Sequence, residues 1–125
     1  MTPVEFRRRL HAHPELSFKE HDTAAFIEQQ LAELGIEHRR IATTGVLARI
    51  AGRKTAEGDR RAVVLRADID ALPIEEKSGV PFASENPGVM HACGHDSHMA
   101  ALLGAARLLA ARKNDLAGTV KFIFQ

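Results

Sequence analysis

The apolar positions change period along the chain, and that change separates helices from strands. Phe6 and Leu10 lie four residues apart behind Thr2-Pro3-Val4-Glu5, which has the form of a capping box with proline at the first helical position. A short amphipathic helix is predicted from Pro3 to about His11, ended by His13-Pro14 because the residue before proline resists the helical region. Phe26, Ile27, Leu31 and Leu34 form a second stripe. It predicts a helix from about Asp22 to Leu34, capped by Asp22 or Thr23 and closed by Gly35. Ile36–Ile41 and Val46–Ala51 then read as strands joined by a turn at Thr43-Thr44-Gly45. Ala62–Ala67 (AVVLRA) is a continuous, mostly apolar run, the pattern of a central strand covered on both faces. Ser97 to about Arg112 is apolar nearly all round and predicts a buried helix, and Gly118–Gln125 reads as a last strand.

This alternation predicts an α/β fold with helices packed on a mixed central sheet. Between the third strand and the third helix, Asp68–Met90 is long and carries Pro73, Gly79, Pro81, Pro87 and Gly88. A loop of that length inside a compact domain is usually functional. The chain stops within what reads as a core strand. The expectation is that residues 1–125 are the N-terminal part of a catalytic domain, truncated at its C-terminal end.

Composition narrows the choice of partners. Hydrophobic residues make up 45% and charged residues 26%, with a formal net charge of +1 and neither Trp nor Tyr. Nucleic acid is not expected as a partner, because the charge is balanced and few stacking platforms exist. The short runs Arg7–Arg9, Arg39–Arg40 and Arg60–Arg61 read as solvated surface. The longest apolar run, Met99–Ala111, contains Arg107 and is too short to span a bilayer, so no membrane association is expected. A single cysteine, Cys93, excludes an internal disulfide and makes a cytoplasmic location the default.

Chemistry concentrates in Met90–Met99 (MHACGHDSHM). Cys93 and His95 flank Gly94, His98 follows, and His91 lies just upstream, a density of soft and borderline ligands that suits a divalent transition metal. Gly94 allows a tight turn, Asp96 or Ser97 can cap the following helix, and the positive helix end would favour a thiolate at Cys93. A second constellation, Asp68-Ile69-Asp70, follows the strand Ala62–Ala67; continued extension places both carboxylates on one face. One acid can complete or orient a metal site, and the other can hold a catalytic partner by a hydrogen bond. A cysteine nucleophile at Cys93 is the rival reading. His11, His21 and His38 read as surface residues.

Four stretches together resemble the M20 metallopeptidase superfamily, in its N-acyl-amino-acid amidohydrolase and hippurate hydrolase branch. They are Arg9–Glu20, Val64–Glu76, Pro81–Leu103 and Gly118–Gln125, in that order and nearly end to end. The resemblance implies a zinc-peptidase-like catalytic domain that hydrolyses the amide bond of a small N-acyl amino acid. It implies two divalent metal ions, manganese or zinc, with Cys93 and His95 as ligands and His98 behind them. Asp68 and Asp70 correspond to the acidic pair that supports catalysis, and His13 to a structural position. The family pattern continues past the final Phe-Gln into Pro-Ala-Glu-Glu, whose glutamates act as general base and ligand, and the full-length form is a homodimer. On that basis the isolated chain is expected to be inactive. A non-catalytic metal-binding module and an inactive truncated product stand as alternatives.

Overall fold

In the computed structural model, which describes residues Met1–Gln125, the capping box forms as its spacing predicts. The Glu5 N–H donates to Thr2 Oγ1 at 3.2 Å and the Thr2 N–H to Glu5 Oε2 at 2.7 Å, starting α1 over Pro3–Ala12. α2 spans His21–Glu33, and neither Asp22 nor Thr23 caps it. Instead Glu15, in the preceding loop, accepts from the Asp22 and Thr23 N–H groups at 3.2 and 2.5 Å. Orphan donors of the first turn are thus satisfied from outside the helix. Gly35 closes it at φ +68°, with the Ile36 N–H reaching back to Leu31 O and the Gly35 N–H to Ala32 O.

β1 (Glu37–Ile41) and β2 (Gly45–Ala51) form an antiparallel hairpin with Ile41 opposite Gly45. β3 (Ala62–Ala67) and β4 (Thr119–Phe124) complete a four-stranded mixed sheet in the order β1-β2-β4-β3. β4 runs antiparallel to β2 and parallel to β3, and α3 (His95–Ala111) lies in the crossover between β3 and β4. Val46, Ala48, Ile50, Ala67, Phe122 and Phe124 bury one face of the sheet against Phe6, Ile27, Leu31 and Met99 of the helices. Three helices on a mixed sheet is the architecture the alternation predicts.

Three further local expectations fail, each for a physical reason. β3 is an edge strand, with Val63 58% and Val64 54% exposed, while β4 takes the central place. A continuous apolar run says that a strand suits burial, not which strands lie beside it. α3 is not buried all round: Met99, Leu102, Leu103 and Ala106 face the core, whereas Ala101 is exposed and Leu108 is 69% exposed. The sheet and α1 occupy only one side of it. Finally, α3 begins at His95 behind Gly94 in the left-handed region at φ +89°, so neither Asp96 nor Ser97 caps it. No helix is long and apolar enough to cross a membrane.

Candidate metal centre

Sheet pairing stops at Ala67, but its alternation continues. Ile69 and Ala71 are buried while Asp68 and Asp70 turn outward, so both acids share one face as the two-residue period requires. The segment is pinned just beyond them. The Ala71 N–H donates to Glu15 O at 2.8 Å, and Leu72 and Met90 exchange backbone bonds of 2.9 and 3.0 Å. Those bonds bring the Met90–Met99 motif alongside the acid pair.

Both acids converge on His95, at the first position of α3. Its Nδ1 lies 2.8 Å from Asp70 Oδ1 and 3.0 Å from the Asp70 carbonyl oxygen. Two acceptors at one nitrogen call for a proton on Nδ1, and Nε2 lies 3.5 Å from Asp68 Oδ2. Asp68 Oδ1 in turn lies 3.2 Å from His98 Nδ1. One ligand atom from each of Asp68, His95 and His98 lies within 4.8 Å of the others. One carboxylate oxygen with two imidazole nitrogens fits a divalent transition ion, and a carboxylate behind a ligating histidine is the usual way its ring is oriented. Burial pushes the Asp68 carboxyl up. Hydrogen bonds from its own backbone N–H and from His98, with the nearby His95 and Arg66, outweigh that and hold it below the ordinary carboxylate range. A cleft of about 280 Å³ lined by Phe18, Glu20, Thr44, Arg66, Asp68 and Asp70 opens beside the pair.

The structure therefore brings together Asp68, Asp70, His95 and His98. His98, expected behind the ligands, brings a ring nitrogen within 4.8 Å of the Asp68 and His95 ligand atoms. Cys93 is a free, exposed thiol outside this three-residue group.

A second cluster lies beneath the first, and sequence reasoning did not find it. His11, read as a surface residue, is 5% exposed. Its Nδ1 lies 2.8 Å from Asp96 Oδ2, and its Nε2 lies 3.1 Å from both carboxylate oxygens of Glu76. Arg7 Nε donates to the same Asp96 oxygen at 2.9 Å. Glu76 also accepts from the Ser84 N–H at 2.8 Å and from the Ser78 hydroxyl. Burial would raise both carboxyls, yet Glu76 is held at about 2 by Ser78, Ser84 and His11, and Asp96 is held low by His11 and Arg7. His91 is buried with no partner at either ring nitrogen, and burial pushes it down to about 4. The available signal was positional: Arg7 and His11, four residues apart, flank the Phe6–Leu10 stripe. His38 is half-buried and donates from Nδ1 to Ile36 O at 2.8 Å, while His21 is exposed and His13 sits 3.7 Å from Glu85 at the surface.

An α/β scaffold here sets carboxylates after a strand against histidines opening a helix, a group that could hold a metal ion. Residues 64–125 match the model of peptidase family M20/M25/M40. An N-acetyl-L-cysteine deacetylase of Bacillus subtilis is 54% identical over 98% of this chain and 29% of its own length. An N-acyl-L-amino acid amidohydrolase of Geobacillus stearothermophilus is 49% identical over 98% of the chain and 32% of its own length. Among solved structures, the Bacillus subtilis YXEP protein, described as a dinuclear metal binding peptidase from the M20 family, superposes with a TM-score of 0.92. It is 49% identical over 98% of this chain and 34% of that one. The chain belongs to the M20 family, and it spans about 30% of the length of the curated relatives it matches.

Proposed function

We propose that this chain supplies part of a dinuclear metal site for hydrolysis of the amide bond of N-acyl amino acids. The carrying observation is His95, held by Asp70 through Nδ1 while Nε2 faces Asp68 and His98. The identities of the relatives, a deacetylase and an amidohydrolase acting on N-acylated substrates, support the reaction class. The dinuclear description of the YXEP protein supports two divalent ions. Bound ions would polarise the amide carbonyl and bring a water's pKa towards ~7.

The chain's own residues hold and orient. Asp68, His95 and His98 offer ligand atoms, and Asp70 fixes the His95 ring. Cys93, an exposed thiol two residues before His95, is proposed as a further ligand that swings in when an ion binds. Manganese and zinc are both candidates, with imidazole and thiolate favouring zinc. Residues 1–125 are proposed to form the first part of the catalytic domain of a cytoplasmic, homodimeric enzyme. The isolated chain would bind metal without turnover.

Titration of Zn²⁺ and Mn²⁺ into the chain by calorimetry tests this reading, beside an assay with hippurate and N-acetyl amino acids. Stoichiometric binding, lost in His95→Ala and weakened in Cys93→Ser, is expected. A wild-type chain that takes up neither ion would overturn the site. Turnover by the 125-residue chain would overturn its assignment as an incomplete one.

A further inference from the structure

The metal-facing histidines sit in a single helical turn, and one of the two residues between them, Asp96, points the other way. Asp96 follows His95 directly, is wholly buried, and carries the only side-chain bonds that tie the first turn of α3 to α1. His11 receives it. The ring reaches 2.8 Å from Asp96 Oδ2 on one side and 3.1 Å from Glu76 on the other, so one side chain joins α1, the first turn of α3 and the loop beyond Asp70. Carboxylate oxygens only accept, so the ring is the donor wherever it bonds one of them. Arg7 and His11 thereby meet Asp96 and Glu76 in one hydrogen-bonded group. Such a hydrogen-bonded buried group specifies geometry more than it adds stability.

We propose that His11 is a positioning residue for the metal centre: through Asp96 it fixes the rotation of the first turn of α3, and so the direction of the His95 and His98 ligand atoms. This rests on the metal-site reading above. The two arms of the ring have different duties. The Asp96 arm orients the helix, and the Glu76 arm anchors His11 to the 76–84 loop.

Asparagine and glutamine separate the arms, because the asparagine amide nitrogen falls near the place of ring Nδ1 and that of glutamine near Nε2. His11→Asn keeps the bond to Asp96, and His11→Gln keeps the bond to Glu76. Co²⁺ titration of the full chain, followed by its visible d–d absorption, is expected to show about 10- to 100-fold weaker binding and an altered band in His11→Gln and His11→Ala. His11→Asn is expected to stay within about threefold of the wild-type chain with its band intact, although both amide variants melt at lower temperature. Affinities that simply follow melting temperature across the three variants would overturn the proposal. If the wild-type chain takes up no Co²⁺, the metal reading fails, and nitrogen-15 NMR of the metal-free chain decides the positioning role. His95 ring signals displaced in His11→Gln but not in His11→Asn support it, and unchanged signals in both refute it.

Discussion

Two clusters of the same residue types lie on opposite sides of one helical turn, and they behave as different materials. Asp68, Asp70, His95 and His98, with Arg66 at their edge, open to solvent beside a cleft. His11, Glu76 and Asp96, with His91 against them, are closed off from it, and Arg7 reaches Asp96 from the partly exposed rim. In the open cluster water screens the charges, so its bonds add little stability and leave lone pairs free for an ion. In the closed cluster every bond replaces a lost hydration shell, so removal of one member strands the others. Adjacent positions in sequence, 95 and 96, thus divide recognition from support.

The comparison breaks most visibly at its buried acid. Asp96→Ala takes away the acceptor that Arg7 Nε and His11 Nδ1 share, leaving His11 only Glu76, and is expected to cost about 3–5 kcal/mol of unfolding free energy in urea. Asp68→Ala, measured identically, is expected to stay within about 0.5 kcal/mol. An equal loss in the two variants would erase the distinction.

Metal affinity should show the reverse order. Asp70→Ala frees the His95 ring and is expected to weaken Zn²⁺ or Mn²⁺ binding about 10- to 100-fold while the melting temperature of the metal-free chain barely moves.

Acid titration sharpens the closed side. The folded Glu76 carboxyl sits at about 2, below its ordinary 4.5. A depressed folded pKa gives stability that is fully present above the unfolded value and is lost as pH falls from 4.5 towards 2. Glu76→Gln should flatten the loss of stability across that window, as read from urea midpoints at successive pH values. A slope as steep as that of the wild-type chain would contradict the role assigned to this carboxylate.

The smallest effect is at His13, two residues from His11 but exposed and 3.7 Å from Glu85. His13→Ala should change stability by no more than about 0.5 kcal/mol.

Much of this was legible in the linear pattern. The capping box of α1, the Gly35 stop of α2, the extents of β2 and β3, and the alternation through Asp68-Ile69-Asp70 follow from contacts within a few residues. For the same reason the acid pair and the Met90–Met99 motif, with Cys93 and His95 as its expected ligands, could be named as candidates: each half is local, and residue type supplies the chemistry. What the chain alone could not decide was which halves meet and what lies beneath them. β3 became an edge strand because β4, added more than fifty residues later, pairs on only one side of it. His11 passed for a surface residue because nothing within a helical turn offers it an acid; its partners lie 65 and 85 residues away. Periodicity and residue type carry short-range preferences. Burial and charge pairing across such distances exist only once the helices have docked on the sheet.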